Sequence, residues 1–345
     1  MAITIKDIAK IAGVSYSTVS RSLNDSPLVA QSTKDQIKKI AEDLGFEFNA
    51  NARSLTTSKT GTIGIIYPEN FDEFGIHLYY GSLHYQLRKS LEAVDLDLIV
   101  AFPKNRATKE NNIKKLITRQ KVDGLIIAQF DLDQDTMRFI DNAKIPFVFF
   151  HHPVDPKLED VDAVCTDHFK GGYLATQHLI KTGRRNIMCI PAGSDREFNL
   201  RTEGYKAALK DNGIKFDSNL IIEGKPDFEL AKEIIKKNIQ LVKSIDGIFA
   251  QTDLMAWGVI EALKEMNIAV PDDIAVVGYD DIELSTYITP KLTTIHQPRE
   301  EIAILTCERL HELLNSKNTK RKRKKKTELV PTLVIRESCG YKDQK

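Results

Sequence analysis

The sequence predicts two architectures in one chain: a small all-α head, then a larger α/β domain of two similar lobes built on parallel sheets. Three observations carry this. Residues Ile3 to Asn24 compress two short amphipathic patterns around a glycine. From Thr62 onward, short apolar runs alternate with amphipathic stretches, the rhythm of strands covered by helices. Some of these runs also recur, VDGLIIAQ (Val122 to Gln129) as IDGIFAQ (Ile245 to Gln251) and IPFVFFHH (Ile145 to His152) as IAVVGYDD (Ile274 to Asp281). A duplicated lobe is implied.

In the head, Thr4 with Asp7 three positions on has the spacing of a capping box, and Ile5, Ile8, Ala9 and Ala12 then share one apolar face before Gly13 ends the helix. Ser15 caps a second helix that turns Val19 and Leu23 inward. Tyr16, Ser17, Ser20 and Arg21 are left outward, hydrogen-bonding groups where a merely structural helix would carry Lys and Glu. A third helix is predicted from Ser32 to Leu44, with Asp35 as its capping-box acid, Ile37, Ile40 and Leu44 inward, and Gly45 as its stop. Two short helices, a tight turn and a third helix that closes the core outline a DNA-reading helix-turn-helix.

The strands of the larger domain are predicted at TIGIIYP, LDLIVAF, GLIIA and PFVFF in the first lobe and at IMCI, LIIEG, GIFAQT and IAVVGY in the second. Open parallel sheets bind ligands at the carboxyl ends of their strands. The repeat places His151 and His152 at one such end and Asp280 and Asp281 at its counterpart, so both pairs are expected to face one cleft. A carboxylate at such an end can accept two hydroxyl protons at once, which suits a vicinal diol.

The wording and spacing of TIKDIAKIAGVSYSTVSR and NANARSL resemble the DNA-binding signature of the lactose-repressor (LacI/GalR) family of bacterial transcription regulators, over nearly the whole chain. The resemblance implies a helix-turn-helix DNA-binding head plus a periplasmic-binding-protein-like effector domain. It implies that the second helix enters the major groove with Tyr16, Ser17 and Arg21 at base-contacting positions. Arg21 is the guanine reader, its fork matching two acceptors on one base edge. Thr4, Thr18 and Asn24 are assigned to phosphates, with Ser20 on the same face. Asn49 to Leu55 resemble the family's hinge helix, with Asn49, Ala52 and Arg53 matching and Leu55 as the wedge pushed into the minor groove. Phe48 stands where the family usually has proline, and Phe46 where tyrosine is common, which bears on the entry angle of the hinge.

For the cleft, GYDDIELSTYITPKLTTIHQP resembles a family segment whose first aspartate binds effector, which makes Asp280 the expected ligand carboxylate and leaves Asp281 to order the loop. Arg201 in RTEGY matches the family's effector arginine, Phe228 in KPDFE falls where the family stacks an aromatic on a ring, and Thr252 takes a polar cleft position. With His151 and His152 these residues form the expected effector site. The expected effector is a monosaccharide or small glycoside ahead of a purine. No cofactor and no metal are expected.

Whole-chain properties fit this organisation. The 345 residues divide into a head (1–47), a hinge and linker (48–60) and an effector and dimerisation domain (61–345). Its first lobe is read as about 61–163 with 298–325, and its second as 164–297 with 326–345. No apolar run nears the roughly 18 residues of a membrane span, and Lys6, Asp7 and Lys10 interrupt any signal peptide, so a cytoplasmic location is expected, at the nucleoid when bound to operator. Four scattered cysteines suggest neither disulfides nor zinc. Net charge is only +1, and residues 1–60 carry eight Lys and Arg against six Asp and Glu. Phosphate affinity must therefore come from local placement and from doubling in a homodimer. The basic run KNTKRKRKKK (317–326) reads as a solvated loop.

The sequence also bears on three other functions. Adjacent residues at a strand end point to opposite sides, so neither the paired histidines nor the paired aspartates converge on one atom, and no phosphate loop, zinc-protease motif or nucleophile elbow is present. Catalysis is not predicted. A soluble sugar-binding protein shares the lobes but has no use for the head. A regulator controlled by a partner protein is the main alternative to one controlled by a metabolite.

Overall fold

The computed structural model describes residues 3–46, 59–128, 132–152, 161–316 and 324–341. The hinge residues Asn49, Ala52, Arg53 and Leu55, together with Phe48 and most of the basic run, lie outside the described residues. The chain forms two units, residues 1–60 and 61–345.

In the first unit, α1 (Ile5–Ala12), α2 (Tyr16–Leu23) and α3 (Gln31–Asp43) close on Ile8, Ala9, Val19, Ile37 and Ala41. The Thr4 backbone N–H donates to the Asp7 carboxylate over 2.9 Å, and the Thr4 hydroxyl donates to the same oxygen over 2.7 Å. Gly13, at φ 65°, takes the left-handed conformation that ends α1. The start of α3 differs from the sequence expectation. It begins at Gln31 behind Ala30, with no side-chain cap, and Asp35 accepts from Gln31 Nε2 (2.8 Å) instead of closing a capping box.

The second unit has two sheets. In the first, the spatial order is β10 (Lys326–Leu329), β5 (Ala163–Thr166), β4 (Phe147–Phe149), β3 (Gly124–Ile127), β1 (Thr62–Ile66) and β2 (Asp97–Ala101), all paired in parallel. In the second it is β11 (Thr332–Val334), β9 (Thr293–His296), β8 (Ala275–Asp280), β7 (Gly247–Ala250) and β6 (Ile187–Ile190), parallel except for β11. Strands β3, β5, β6, β7 and β8 are buried along their whole length, so they appear in the sequence as unbroken apolar runs and not as alternation.

The chain passes between the sheets at three places: after β5 into the helix His168–Lys181, after β9 into the helix Arg299–Leu314, and between β10 and β11. Ile302, Ala303, Cys307 and Leu310 of the helix Arg299–Leu314 pack into the first lobe's core with Ile126, Val148 and Leu83. Two expectations need correction. Residues Lys326–Leu329 extend the edge of the first sheet instead of joining the second lobe, because they pair with β5. The run LIIEG makes only a single bridge, Ile221 to Cys189, and no strand, since Gly224 and Pro226 follow directly.

Candidate functional site

The head presents α2 as a polar face. Tyr16, Ser17 and Arg21 are exposed, with Tyr16 at 55%. Ser15 accepts from the Thr18 backbone N–H over 3.1 Å, and its hydroxyl lies 2.8 Å from those of both Ser17 and Thr18, which fixes the start of the helix. Ser20 and Asn24 are half-buried, and Asn24 Nδ2 donates back to the Ser20 carbonyl. Ser22 is fully buried and donates to the Thr18 carbonyl, so the face opposite the exposed groups is sealed into the core.

Within the second unit, a cavity of about 350 Å³ opens between the lobes. The first lobe contributes Ile76, Tyr79 and Tyr80 from the helix Phe74–Glu92 and His151 from the end of β4. From the second lobe come Glu197, Phe198 and Arg201 on the helix Arg196–Asp211, Thr252 at the cap of the helix Asp253–Glu265, and Asp280 at the end of β8. Gln297 lines it from the second crossing.

Asp280 sits on strained backbone. It has φ 110° and Asp281 follows at φ 52°, conformations that L residues adopt at a cost of about 1–3 kcal/mol each. Arg299 holds both, donating from Nη1 to the Asp280 carbonyl (2.6 Å) and from Nη2 to the Asp281 carbonyl (2.9 Å). The Asp280 carboxylate accepts from Gln297 Nε2 over 2.8 Å and lies 3.8 Å from Arg201 Nη1. Burial pushes its pKa up to about 6, against the opposing pull of Arg201 and Gln297. Behind it, Asp253 accepts from the Ile282 N–H (2.9 Å) and the Ser285 hydroxyl (3.0 Å), and from Thr294. Burial and the nearby Asp280 charge push Asp253 up to about 8.

Arg201 is fixed by its neighbours. Its Nη1 donates to the Gln251 carbonyl over 2.5 Å and its Nε to His168 Nδ1 over 3.2 Å, while its guanidinium stacks 3.7 Å from the Tyr279 ring centre. Since Nδ1 of His168 accepts, its proton sits on Nε2, 3.1 Å from Glu197 Oε2. Burial lowers the His168 pKa to about 4. Burial alone would raise Glu197, but His168 and His151 hold its carboxyl well below the usual range. The other oxygen of Glu197 crosses between lobes, lying 3.1 Å from His151 Nδ1 and accepting the His152 backbone N–H over 3.1 Å.

His151, Arg201, Thr252 and Asp280 thus share the cavity, and two residues of the expected set do not. The side chain of His152 leaves it, placing Nε2 3.2 Å from the Thr166 carbonyl inside the first lobe. The reason is strand parity, since neighbours at the end of β4 face opposite sides. The same parity sends Asp281 away to His296 (3.0 Å) and Arg336 (2.7 Å). Phe228 packs its ring 4.5 Å from that of Trp257, at the start of the helix Phe228–Lys237, and the second-lobe aromatic that lines the cavity is instead Phe198, 5.0 Å from the Arg201 guanidinium. Glu197, Phe198 and Gln297 lie outside the residues expected from the sequence. For Glu197 a signal existed, because it stands one helical turn before Arg201.

Among the described residues, one trio brings metal-type donors within 4.8 Å of one another: His152, Cys165 and Glu328. Burial raises the Cys165 thiol pKa, which disfavours the thiolate a metal would take, and the Glu328 carboxylate is already paired with Lys326 at 2.6 Å. No helix among the described residues is long and apolar enough to cross a membrane.

Residues 4–49 match the family model described as bacterial regulatory proteins, lacI family, and residues 176–339 match a periplasmic binding protein-like domain. The chain is 32% identical over 341 residues to the HTH-type transcriptional repressor PurR of Photobacterium profundum, covering 97% of this chain and 98% of that protein. It is 31% identical over 344 residues to the HTH-type transcriptional regulator DegA of Bacillus subtilis, covering 99% of each. Among solved structures, a complex of the transcriptional regulator CelR with cellobiose aligns at TM-score 0.73 and 26% identity, over 97% of this chain and 99% of that one. The lac repressor dimer bound to operator and the anti-inducer ONPF aligns at TM-score 0.77 and 24% identity, over 98% and 99%, a likeness of fold.

Proposed function

We propose that this chain, which belongs to the LacI family of bacterial transcription regulators, is a repressor whose hold on a pseudo-palindromic operator is set by a sugar bound between its lobes. That it is a DNA-binding regulator and not an enzyme follows from the family. The sugar rests chiefly on one observation: Asp280, held on a strained backbone by Arg299, lies beside Arg201 in a cavity that also offers Glu197, Gln297, Thr252 and His151. Dispersed acceptors and donors suit a ring of hydroxyls better than a flat base read along one edge. Phe198 and Tyr79 supply the apolar surface that such a ring presents on its face.

A ligand that touches both lobes biases their angle. In the LacI family the effector-binding domain carries the head through the hinge, here residues 48–60, so in a homodimer a change of lobe angle alters the spacing of two hinges and with it operator affinity. Tyr16, Ser17 and Arg21 read bases in this scheme, while Thr4, Thr18 and Asn24 meet phosphates.

The experiment is a thermal-shift screen of free sugars and nucleobases on the full chain, followed by titration of Asp280→Ala with the hit. A ligand at 100 times its dissociation constant adds about 2.7 kcal/mol of stability. The variant should bind about 10 to 150-fold more weakly, because a buried hydroxyl loses its acceptor, while unliganded operator binding persists. Wild-type affinity in the variant would remove the cleft as the sensor, and a nucleobase hit would replace the sugar with a purine.

A further inference from the structure

The cavity's charges say which form of a sugar it takes. Resting on the sugar reading above, we infer that the effector is an uncharged sugar and that the cleft rejects the phosphate ester of that same sugar. Among the described residues that line the cavity, three carboxyl groups, Asp195, Glu197 and Asp280, face a single guanidinium, Arg201, and no lysine. That guanidinium gives Nη1 to the Gln251 carbonyl and Nε to His168, stacks on the Tyr279 ring, and has its charge answered by the Asp280 carboxylate 3.8 Å away. Arg299, the next cation, spends both terminal nitrogens on the carbonyls of Asp280 and Asp281. His151 is occupied at both ring nitrogens, by Glu197 and by the Tyr80 hydroxyl 3.0 Å away.

The backbone around the cavity is equally unsuited to a phosphate. Helix N-termini are the usual backbone sites for that group, because free N–H groups and the helix dipole point outward there. Three helices bring their first turns to this cavity, and each start already carries a carboxylate of the chain itself. Glu73 stands at the cap of the helix Phe74–Glu92; Asp195 stands at the cap of the helix Arg196–Asp211, with Glu197 in its first turn; Asp253 opens the helix Asp253–Glu265 behind Thr252. A phosphate brought to these helix starts would meet those carboxylates, and Glu197 or Asp280 in the cavity, at close range. Like charges brought together in a desolvated site repel strongly. Free hydroxyls, in contrast, donate to the same carboxylates.

One consequence concerns position in a reaction sequence. The cleft senses the sugar before a phosphoryl transfer to it, or after hydrolysis releases it from a glycoside, and the transferase product is invisible to it.

The test uses the full chain and paired probes: D-ribose with ribose 5-phosphate, D-glucose with glucose 6-phosphate, and cellobiose with its 6-phosphate. The expected result is a thermal shift with at least one free sugar and binding of its ester weaker by about 100-fold or more. In the double variant Asp195→Asn, Glu197→Gln that gap should narrow. An ester that binds as tightly as its free sugar, or more tightly, overturns the inference while leaving the sugar-sensing reading intact. Failure of every sugar in either form overturns both.

Discussion

Gly172→Ala reverses the ordinary sign of a helical substitution. Inside a helix, Gly→Ala gains about 1 kcal/mol from reduced chain entropy. Gly172, in the middle of the helix His168–Lys181, faces the helix Arg196–Asp211, and a Cβ built there overlaps the Arg201 carbonyl oxygen and stands 2.7 Å from its carbonyl carbon. Non-bonded carbon atoms settle at about 3.5–4.0 Å, so the helices must part by roughly 1 Å at this crossing. The obstacle is backbone, and no rotamer relieves it. Gly204 repeats the constraint from the other side, where a Cβ would overlap the Phe169 carbonyl oxygen and stand 2.6 Å from the Tyr173 backbone nitrogen. Overpacking of this kind costs about 1–3 kcal/mol or more. Set against the entropic gain, the net loss reaches roughly 2 kcal/mol, a fall of up to about 8 °C in melting temperature for a domain this large. Parting the helices also draws Arg201 off the Gln251 carbonyl and the Tyr279 ring, so effector affinity should drop at least about tenfold. Gly81→Ala is the control, since its added Cβ has nothing within 4 Å in the helix Phe74–Glu92, and it should be neutral or stabilising. Calorimetry on both variants decides the matter. A Gly172→Ala protein as stable as Gly81→Ala would refute the claim that close backbone contact positions Arg201.

Three further outcomes are expected. Arg21→Ala should cost about 1–3 kcal/mol of operator affinity and relax preference at one position in each half-site, read by selection from randomised DNA; an unchanged selected sequence removes Arg21 as a base reader. Phe198→Ala should weaken effector binding with little change in melting temperature, whereas Phe228→Ala, which empties the contact with Trp257, should lower stability and spare affinity; the reverse pattern restores Phe228 to the site. The folded-state pKa values of Asp253 and Asp280, raised to about 8 and about 6 from 3.8, contribute stability that is present at low pH and lost as pH rises through those values. His168, lowered to about 4 from 6.5, opposes them as pH falls below 6.5. Melting temperature should therefore climb from pH 8.5 to about pH 6.5, and Asp253→Asn should flatten that limb; an equally steep limb in the variant assigns it to other groups.

The sheets were legible because buried parallel strands write themselves as apolar runs such as GLII and AVVGYD. Where strands are short and threonine-rich, as at TTIH in β9 and AVCT in β5, the same criterion passes them by. The run LIIEG shows the opposite failure, apolar enough for a strand but ended by glycine and proline after one bridge. In the site, doubled residues misled. Of His151 and His152 only one can face the cavity, and the alternation that forbids the second is the one that argued against paired catalysis. Glu197, despite its place one turn before Arg201, passed unread for a different reason. A glutamate in the first turn of a helix is ordinary helix chemistry, and it becomes a cavity acid only through His151 and His168, which the fold brings to it from another lobe and another helix.

The three crossings have a consequence for how the protein is made. On the ribosome, the head can complete its core from its own 46 or so leading residues, all of whose contacts are local. The first lobe cannot. Its edge strand β10 pairs with β5, joined by contacts between residues 163 apart in sequence, and its core waits for the helix Arg299–Leu314, so the whole second lobe is synthesised while the first stands open. At about 5–20 residues per second that interval lasts some seconds to tens of seconds, with the edge of β5 unpaired and the faces that Ile302 and Leu310 will cover exposed. A nascent chain therefore carries a finished DNA reader well before it has a finished sensor. Any ribosome that stalls between β9 and β10 releases a head tethered to a half-built lobe, a species prone to aggregate and, through the outward face of α2, still able to touch DNA that no effector can clear.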